Sequence, residues 1–325
     1  MKTTLASMLG RGALALAVGA AWPAHGAEKA YPSHPVRVIV PFAPGTSPDV
    51  VIRIVGQKLG DIWGQPLIVE NRPGAGGGIG AAAVAQAQPD GYTVLYTVNS
   101  VLCANPHLYA KLGYDPFKSY APVSLMVNLG YVLLARNELP ARNVAELIAY
   151  AKKNPGKLTY GSAGNGSGNH IVMELLTSMT DTPMLHVPMN TNKVLALLSG
   201  QIDLAMEPYT NGVAAAREGK VRPLAVTLAK RTGNLPDVPT IGETVPGYVA
   251  DAWHGLFAPV GTPPEVVDRL SADIARVLAM PDVRERLATA SLEPVGSTPA
   301  ELGAILRRDY EKWGAVIRNA NIRLD

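Results

Sequence analysis

The sequence predicts an α/β protein of two domains, each a mostly parallel sheet flanked by helices. Its 325 residues are enough for two hydrophobic cores of roughly 100 to 150 residues each. Short β-branched runs alternate with segments of helical period, the pattern that builds parallel sheets. A fresh set of such units begins after residue 125, and a Pro- and Gly-rich stretch at 235–247 separates it from the last units. We therefore expect domain I at 27–125 plus 250–325 and domain II at 126–249.

The first 26 residues have the pattern of an export signal. Lys2 and Arg11 precede the apolar stretch Ala13–Trp22, and small residues follow at Ala24 and Gly26. An apolar core of about ten residues is too short for a membrane span, which needs about 20. The pattern predicts a signal that is cleaved near residue 26 and a protein that resides in the periplasm.

The composition disfavours several classes of protein. Cys103 is the one cysteine of the sequence, so we expect no intrachain disulfide and no lipid attached at the cleavage point. The 29 basic and 26 acidic residues nearly balance, and removal of the signal takes two basic residues and no acidic one. Such a balance provides no basic surface for nucleic acid or for a membrane. We expect a monomer without cofactor or metal.

The first strand and helix follow the signal directly. Val36–Phe42 is a β-branched run that ends in the turn Ala43–Asp49. Ser47 is expected to be the N-cap of a helix that runs to Gly64, with Pro48 at its first position. Backbone N–H groups and hydroxyls at such a helix start bind an anion without a basic side chain. The alternative is that Ser47 only caps its own helix.

The next two units extend the same sheet. Leu67–Glu70 leads through a Gly-rich turn into a helix at Gly80–Gln86, and Tyr92–Thr97 leads to Asn99. The run Gly76–Ala81 fits the loose form of a dinucleotide-binding fingerprint. That fingerprint expects an acidic residue at the end of the next strand, where this sequence has Asn99. A nicotinamide-dependent enzyme is therefore disfavoured.

The later units follow in order. An apolar stretch precedes a helix, strands and helices alternate through domain II, and a strand and two Thr-Pro-capped helices return to domain I. The segments are Val123–Leu134, Val144–Lys152, Lys157–Tyr160, Ile171–Met179, Val194–Leu198, Ile202–Met206, Leu224–Leu228, Trp253–Ala258, and helices that begin at Thr262-Pro263 and Thr298-Pro299.

A second loop rich in glycine and hydroxyl groups lies in domain II. The segment Tyr160–His170 runs from a strand into a helix, with four glycines from Gly161 to Gly168. These glycines let backbone donors approach a ligand closely. The two loops are expected to face each other across a cleft.

Catalytic interpretations of this loop are weaker. A nucleophile elbow needs Gly two residues on each side of the serine, whereas Ser167 has Asn165 and Asn169 there. His170 and Glu174 lie four residues apart, but no second His has the spacing of a zinc protease. We interpret this pair as helix-surface residues and expect a protein that is not an enzyme.

A third polar segment precedes the helix of domain II that begins at Lys193. Asn190, Thr191 and Asn192 stand at its start, and Glu207 follows the next strand. These residues either select the far end of a ligand or only cap and solvate their elements. The complete set of candidate ligand-binding residues is Phe42, Ala43, Pro44, Gly45, Thr46, Ser47, Asp49, Thr97, Asn99, Ser162, Gly166, Ser167, Gly168, Asn169, His170, Asn190, Thr191 and Glu207.

Eight motifs occur in order along the chain. They are Pro35–Asp49, Val69–Gly77, Pro89–Thr93, Asn105–Tyr109, Pro155–Tyr160, His186–Pro188, Gly200–Asp203 and Phe257–Pro263. By the order and spacing of these motifs, over essentially the whole mature chain, the protein resembles the Bug family of substrate-binding receptors for tripartite tricarboxylate transporters. Two positions depart from the family pattern: Met189-Asn190-Thr191 replaces a Tyr-Lys-Gly triplet, and Ser199 stands where a Gly is frequent.

The resemblance implies the two-domain periplasmic binding protein fold of type II, with the ligand in the interdomain cleft. It implies capture of a small carboxylate by hinge closure, the ligand being a di- or tricarboxylate, an acidic amino acid or an aromatic carboxylate. In that family backbone amides, hydroxyls and ordered waters hold the carboxylate, from loops that match Phe42–Asp49 and Ser162–His170. The implied partners are the membrane components of the transporter. The alternatives are an extracytoplasmic sensor that works with a sensor kinase and an exported enzyme that reuses the fold.

Overall fold

Two β-sheets organise the part of the chain that the computed structural model describes, residues 31–189 and 191–324. The predicted signal over 1–26 and the candidate residue Asn190 lie outside these residues. From Pro32 onward the chain forms one compact unit. The proposed division into domains I and II therefore stays a prediction.

The strands are β1 (Val36–Val40), β2 (Leu67–Asn71), β3 (Thr93–Val98), β4 (Tyr120–Leu129), β5 (Tyr131–Ala135), β6 (Thr159–Ser162), β7 (Leu185–Pro188), β8 (Leu204–Pro208), β9 (Arg222–Val226), β10 (Ala252–Pro259) and β11 (Glu293–Pro294). The helices are α1 (Ser47–Trp63), α2 (Gly78–Ala85), α3 (Asn105–Leu108), α4 (Val144–Lys153), α5 (Gly168–Thr180), α6 (Lys193–Leu198), α7 (Tyr209–Arg217), α8 (Pro264–Leu278), α9 (Pro281–Thr289) and α10 (Pro299–Asn319).

Both sheets are mixed rather than mostly parallel. The first has the order β11-β4-β10-β3-β1-β2, with β1 parallel to β2 and β3, and β10 antiparallel to β3 and β4. The second has the order β7-β6-β8-β5-β9, with β6 parallel to β7 and β8, and β5 antiparallel to β8 and β9. The predicted α/β class is confirmed, and the prediction of mostly parallel sheets is corrected.

The antiparallel strands have a topological cause. Strand β4 leaves the first sheet and becomes β5 of the second after Gly130 alone. A strand that leaves one sheet at its carboxyl edge and enters the other at that sheet's carboxyl edge must run against its new neighbours. Strand β10, which follows β9, makes the reverse crossing. The carboxyl edges of the two sheets therefore lie next to each other.

Thr227 joins the two crossing segments. Its Oγ1 accepts a hydrogen bond from Tyr131 N at 2.8 Å and donates to Ala250 O at 2.8 Å. Its backbone N–H donates to Tyr131 O at 3.0 Å and its O accepts from Ala250 N at 2.9 Å. A Cβ on Gly130 would lie 2.8 Å from both Thr227 Oγ1 and Leu228 Cγ, so this close approach requires glycine. The two crossing segments are thus held side by side by these hydrogen bonds.

Apolar side chains bury both faces of the sheets. Leu95 and Phe257 from the first sheet and Leu133 and Tyr160 from the second belong to one large buried cluster. Burial of each such side chain contributes about 1.5–3 kcal/mol. A smaller cluster packs α6 and α7 against the other face of the second sheet. Within 31–189 and 191–324, every helix is too short or too polar to cross a membrane.

Candidate functional site

The loops predicted to bind a ligand lie at the adjacent carboxyl edges of the two sheets. Phe42–Asp49 follows β1, and Thr97 and Asn99 lie at the end of the neighbouring strand β3. In the second sheet the loop Ser162–His170 follows β6, and Glu207 lies at the end of the neighbouring strand β8. In α/β proteins this edge, where the helices begin, is the usual place for a ligand.

Thr46, not Ser47, is the N-cap of α1. Thr46 has an extended backbone, with φ −72° and ψ 160°, and Ser47 is already helical. The prediction that Ser47 caps the helix is wrong by one position, because both residues are good caps and the dihedral angles decide between them. The Ser47 Oγ is buried and has no hydrogen-bond partner among the described residues. A buried hydroxyl without a partner costs free energy, so a ligand atom would be a favourable partner.

A buried carboxylate shapes the loop that precedes α1. Asp49 Oδ2 accepts from Gly45 N at 2.9 Å, and Asp49 also accepts from Arg53 Nε and from Asn71 Nδ2. Asn71 Nδ2 donates as well to Phe42 O at 3.0 Å. Burial alone would raise the pKa of Asp49, but the hydrogen bonds from Arg53, Gly45 and Asn71 outweigh it and lower the pKa to about 2. Asp49 is therefore a charged organiser of the loop, while Ala43, Pro44 and Gly45 are exposed.

The glycine run that resembles a dinucleotide fingerprint has a packing role. A Cβ on Gly77 would lie 2.7 Å from Val101 Cγ2, and one on Gly80 would lie 2.9 Å from Arg72 O. The ring of Phe42 lies beside the same turn, 3.5 Å from that Gly77 position. These glycines let α2 pack closely on the end of β1.

The N-cap of α5 repeats the arrangement found at α1. Ser167 has an extended backbone, with φ −66° and ψ 155°. Neither Ser167 nor Thr46 caps its helix with its side chain. Each hydroxyl donates instead to the carbonyl three residues earlier, Ser167 to Gly164 O at 2.6 Å and Thr46 to Ala43 O at 2.7 Å. The first N–H groups of both helices are thus left without a side-chain cap, as a helix end that receives an anion requires.

Asparagine side chains form hydrogen bonds at the carboxyl edges of both sheets. Asn169 Oδ1 accepts from Ala163 N at 3.2 Å and lies 2.8 Å from Ser167 Oγ, which holds the second loop in place. Asn99 Nδ2 donates to Asp251 O at 3.0 Å. The Thr97 hydroxyl is fully buried and has no partner in the described part of the chain.

One narrow cavity brings candidates from both sheets together. Asn99 from the end of β3 and Gly168 from the start of α5 line it. The other lining residues are Ser100, Ala104, Tyr131, Ile171, Val172, Asp251 and Trp313. Two of the predicted binding residues therefore line one cavity, to which the loop Phe42–Asp49 contributes no residue, and the binding role of these residues stays a prediction.

Two histidines form a stack beneath the second loop. His170 is 5% exposed, and its Nδ1 accepts from Gly166 N at 3.0 Å. The ring lies parallel to that of His186, with centroids 3.8 Å apart. His186 Nε2 lies 2.5 Å from Ser162 Oγ, and Tyr160 donates to Glu174 Oε1. Burial, with a smaller effect of His186, lowers the pKa of His170 to about 4.

The interpretation of His170 and Glu174 as helix-surface residues is therefore corrected. His170 is buried, and Glu174 is bound to Tyr160. The sequence gives no local signal for the role of His186, which lies 16 residues beyond His170 on the edge strand β7. In the described ranges no group of three His, Cys, Asp or Glu side chains is arranged to hold a metal ion.

The third polar segment divides into capping and buried residues. Asn192 Oδ1 accepts from Val194 N at 2.9 Å and caps α6, so capping is confirmed for this residue. Thr191 is exposed. Glu207 is 4% exposed and its Oε1 lies 3.2 Å from Lys193 Nζ. The Glu207 side chain is therefore not a solvent-exposed surface group.

Two sheets with adjacent carboxyl edges, joined by two crossing strands, form the fold found in solved periplasmic binding proteins. Two solved structures have this fold. Rpa4515 of R. palustris with adipate is 32% identical, with a TM-score of 0.78 over 90% of this chain and 100% of that one. MatC (Rpa3494) from Rhodopseudomonas palustris with bound malate is 34% identical, with a TM-score of 0.73 over 88% and 100%.

Residues 51–322 match the family model described as "Tripartite tricarboxylate transporter family receptor". The UPF0065 protein in the tcbD-tcbE intergenic region of Pseudomonas sp. (strain P51) is 36% identical over 89% of this chain and 87% of that protein. The chain belongs to this receptor family, which confirms the resemblance seen in its motifs. The family consists of periplasmic solute-binding receptors and not of enzymes.

Proposed function

We propose that this protein captures a small carboxylate in the periplasm and delivers it to the membrane components of a tripartite tricarboxylate transporter. The carrying observation is the pair of helices α1 and α5, whose N-cap hydroxyls turn away from their own helix. Amide groups and helix dipoles bind an anion there without a basic side chain. The adipate and malate of the two related structures are carboxylates of the expected size.

In the proposed order of events, the ligand first contacts one loop and then the other. One carboxylate docks on Gly45–Ser47 at the start of α1. Closure at the crossing segments around Gly130 and Thr227 then brings Ser162–Gly168 over the ligand. Binding free energy drives closure because the second loop contacts the ligand only in the closed state.

Thermal unfolding of the mature protein against a panel of carboxylates is the first test. The panel holds mono-, di- and tricarboxylates, acidic amino acids and aromatic carboxylates. A ligand that binds only the folded state stabilises it by mass action and so raises the unfolding midpoint. At a ligand concentration of 100 times Kd the free energy of unfolding rises by about 2.7 kcal/mol. A panel without any shift would contradict the proposal.

Two substitutions separate binding from capping. Ser47→Ala removes a buried hydroxyl that has no partner in the protein, so we expect weaker ligand binding and almost unchanged stability. Thr298→Ala removes a hydroxyl that caps α10, so we expect lower stability, by about 1 kcal/mol, and unchanged affinity. If calorimetric titration gives the same ligand affinity for Ser47→Ala and for the unaltered protein, Ser47 does not bind the ligand.

Delivery to a transporter is tested in the source bacterium. Deletion of the gene should abolish uptake of the carboxylate that the panel identifies, and the full-length gene supplied in trans should restore it. Unchanged uptake after deletion would contradict the transport role and favour the sensor alternative.

A further inference from the structure

The segment that follows α10 has a fixed direction, although it belongs to no helix or strand. Asn321 has a left-handed backbone, with φ 50°. Its N–H donates to Arg318 O at 3.1 Å, and Ile322 N donates to Ile317 O at 3.0 Å. These two hydrogen bonds form a Schellman motif, which ends the helix and satisfies two of its last carbonyl groups. Ile322 is buried in the large apolar cluster, so the motif is also anchored by packing.

Leu324 brings this segment to the tip of the second loop. Its N–H donates to Leu108 O at 3.1 Å, which joins the segment to α3. A Cβ on Gly166 would lie 3.0 Å from Cδ1 of Leu324 and 3.0 Å from Cδ1 of Leu108. The segment and the loop also line one common groove. The backbone of the loop at Gly166 thus rests on two leucine side chains from other parts of the chain.

The two leucines belong to the half of the molecule that holds the first loop. Helix α10 packs on β4 of the first sheet, and α3 packs on α10. Asn105 Nδ2 of α3 donates to Gly76 O at 3.0 Å, in the glycine turn beside Phe42. Gly166, in contrast, follows β6 of the second sheet. The leucines therefore fix the position of the second loop relative to the first loop.

The other hydrogen bonds at Gly166 are internal to the loop and its helix. Gly166 N donates to His170 Nδ1 at 3.0 Å, and Ser167 N donates to Gly164 O at 3.2 Å. Bonds of this kind shape the loop but do not fix it relative to the first sheet. Both leucines approach the loop more closely than a side chain at position 166 would allow, and φ of 69° at this position also favours glycine.

We infer that Leu324 is a positioning residue for ligand binding, which holds the second loop in the conformation that receives the carboxylate. The inference rests on the proposed function, in which this loop contacts the ligand. A loop that already has its bound conformation costs less free energy to order, which increases affinity. If the loop has that conformation for only a fraction of the time, the apparent affinity falls by that fraction. Leu324 acts through Gly166 and not by contact with the ligand.

The test measures the loop and the binding separately in the mature protein. Hydrogen exchange followed by NMR reports on the Gly166 amide without any ligand, and calorimetric titration with adipate and with malate reports on affinity. The variants are Leu324→Ala, Leu324→Met, which keeps an apolar side chain of similar volume, and Leu198→Ala as the matched control. Leu198 is 46% exposed, against 36% for Leu324, and lies on α6, away from the second loop's support.

We expect Leu324→Ala to accelerate exchange of the Gly166 amide hydrogen and to weaken adipate or malate binding, each about fivefold or more. Because Leu324 is partly exposed, the free energy of unfolding should fall about as little as in Leu198→Ala. Leu324→Met should restore both the exchange rate and the affinity. Leu198→Ala should leave both unchanged.

Three outcomes would count against the inference or the function beneath it. Unchanged exchange at Gly166 in Leu324→Ala would overturn the inference, as would faster exchange with unaltered affinity. Faster exchange throughout the protein by one common factor would also overturn it, because the effect would then be a loss of global stability. If the unaltered protein binds no carboxylate, the proposed function fails instead, and exchange at Gly166 still decides whether Leu324 positions the loop.

Discussion

Substitution of His170 by asparagine should make the fold less sensitive to acid. In the native protein the neutral ring accepts a hydrogen bond from Gly166 N through Nδ1. Protonation turns both ring nitrogens into donors, breaks this bond and places a cation against the stacked ring of His186. The asparagine Oδ1 occupies a position close to that of Nδ1 and accepts the same bond without titrating.

The magnitude follows from the shift of the His170 pKa. Burial lowers this pKa from 6.5 to about 4 in the folded protein. The unfolded chain therefore binds the proton first, and stability is complete above about pH 6.5 and is lost as the pH falls toward 4. At about 1.4 kcal/mol per pKa unit, the loss by pH 4.5 is about 2 to 3 kcal/mol.

Urea unfolding at pH 7.5 and pH 4.5 measures this contribution. His254 is also buried, with its pKa lowered to about 3, and contributes acid sensitivity of the same sign to every variant. The informative quantity is therefore the difference between the unaltered protein and His170→Asn. His34→Asn, at an exposed position, is the control. Parallel losses of stability in the unaltered protein and in His170→Asn would refute the reasoning.

Three further substitutions test other parts of the structure. Gly168→Ala should lower the thermal midpoint because its Cβ collides with the Tyr131 hydroxyl, and Tyr131→Phe should restore most of the loss; no rescue would contradict the contact. Thr227→Val removes the side-chain hydrogen bonds to Tyr131 N and Ala250 O, and urea unfolding should show a free energy of unfolding lower by about 1–3 kcal/mol. A decrease below about 0.5 kcal/mol would argue against a structural role for these hydrogen bonds between the crossing segments. Asp49→Asn should cost about 2 kcal/mol at pH 7, since the pKa falls from 3.8 to about 2, and the difference from the unaltered protein should shrink as the pH falls from 4 toward 2. A pH-independent difference would contradict the role of the charge.

The sequence predicts those parts of the structure that depend on local signals. The strand-to-helix turn after β1 is visible as a β-branched run followed by Pro, Gly and Ser, and the turn after β6 is visible as a short strand followed by Gly and Ser. The antiparallel strands β5 and β10 are not, because a run such as Tyr131–Ala135 has the same pattern whichever way its neighbours run. Strand direction depends on which sheet the chain enters and from which edge. That information is not local.

Contacts between residues that are distant in sequence could not be predicted either. His186 and Ser162 are 24 residues apart and meet because β7 and β6 are neighbours. Lys193 and Glu207 meet because α6 packs beside β8. The error at Ser47 has another origin, since adjacent Thr and Ser residues have nearly equal capping preference and only backbone geometry distinguishes them.

The direction of the crossing strands explains how the proposed carboxylate site would form without a basic residue in either loop. Each crossing strand leaves one carboxyl edge and enters the other, so the helices that follow β1 and β6 both begin at the space between the sheets. Their positive ends attract an anion over a short range, so the proposed site does not depend on the overall charge of the protein, which is only +3.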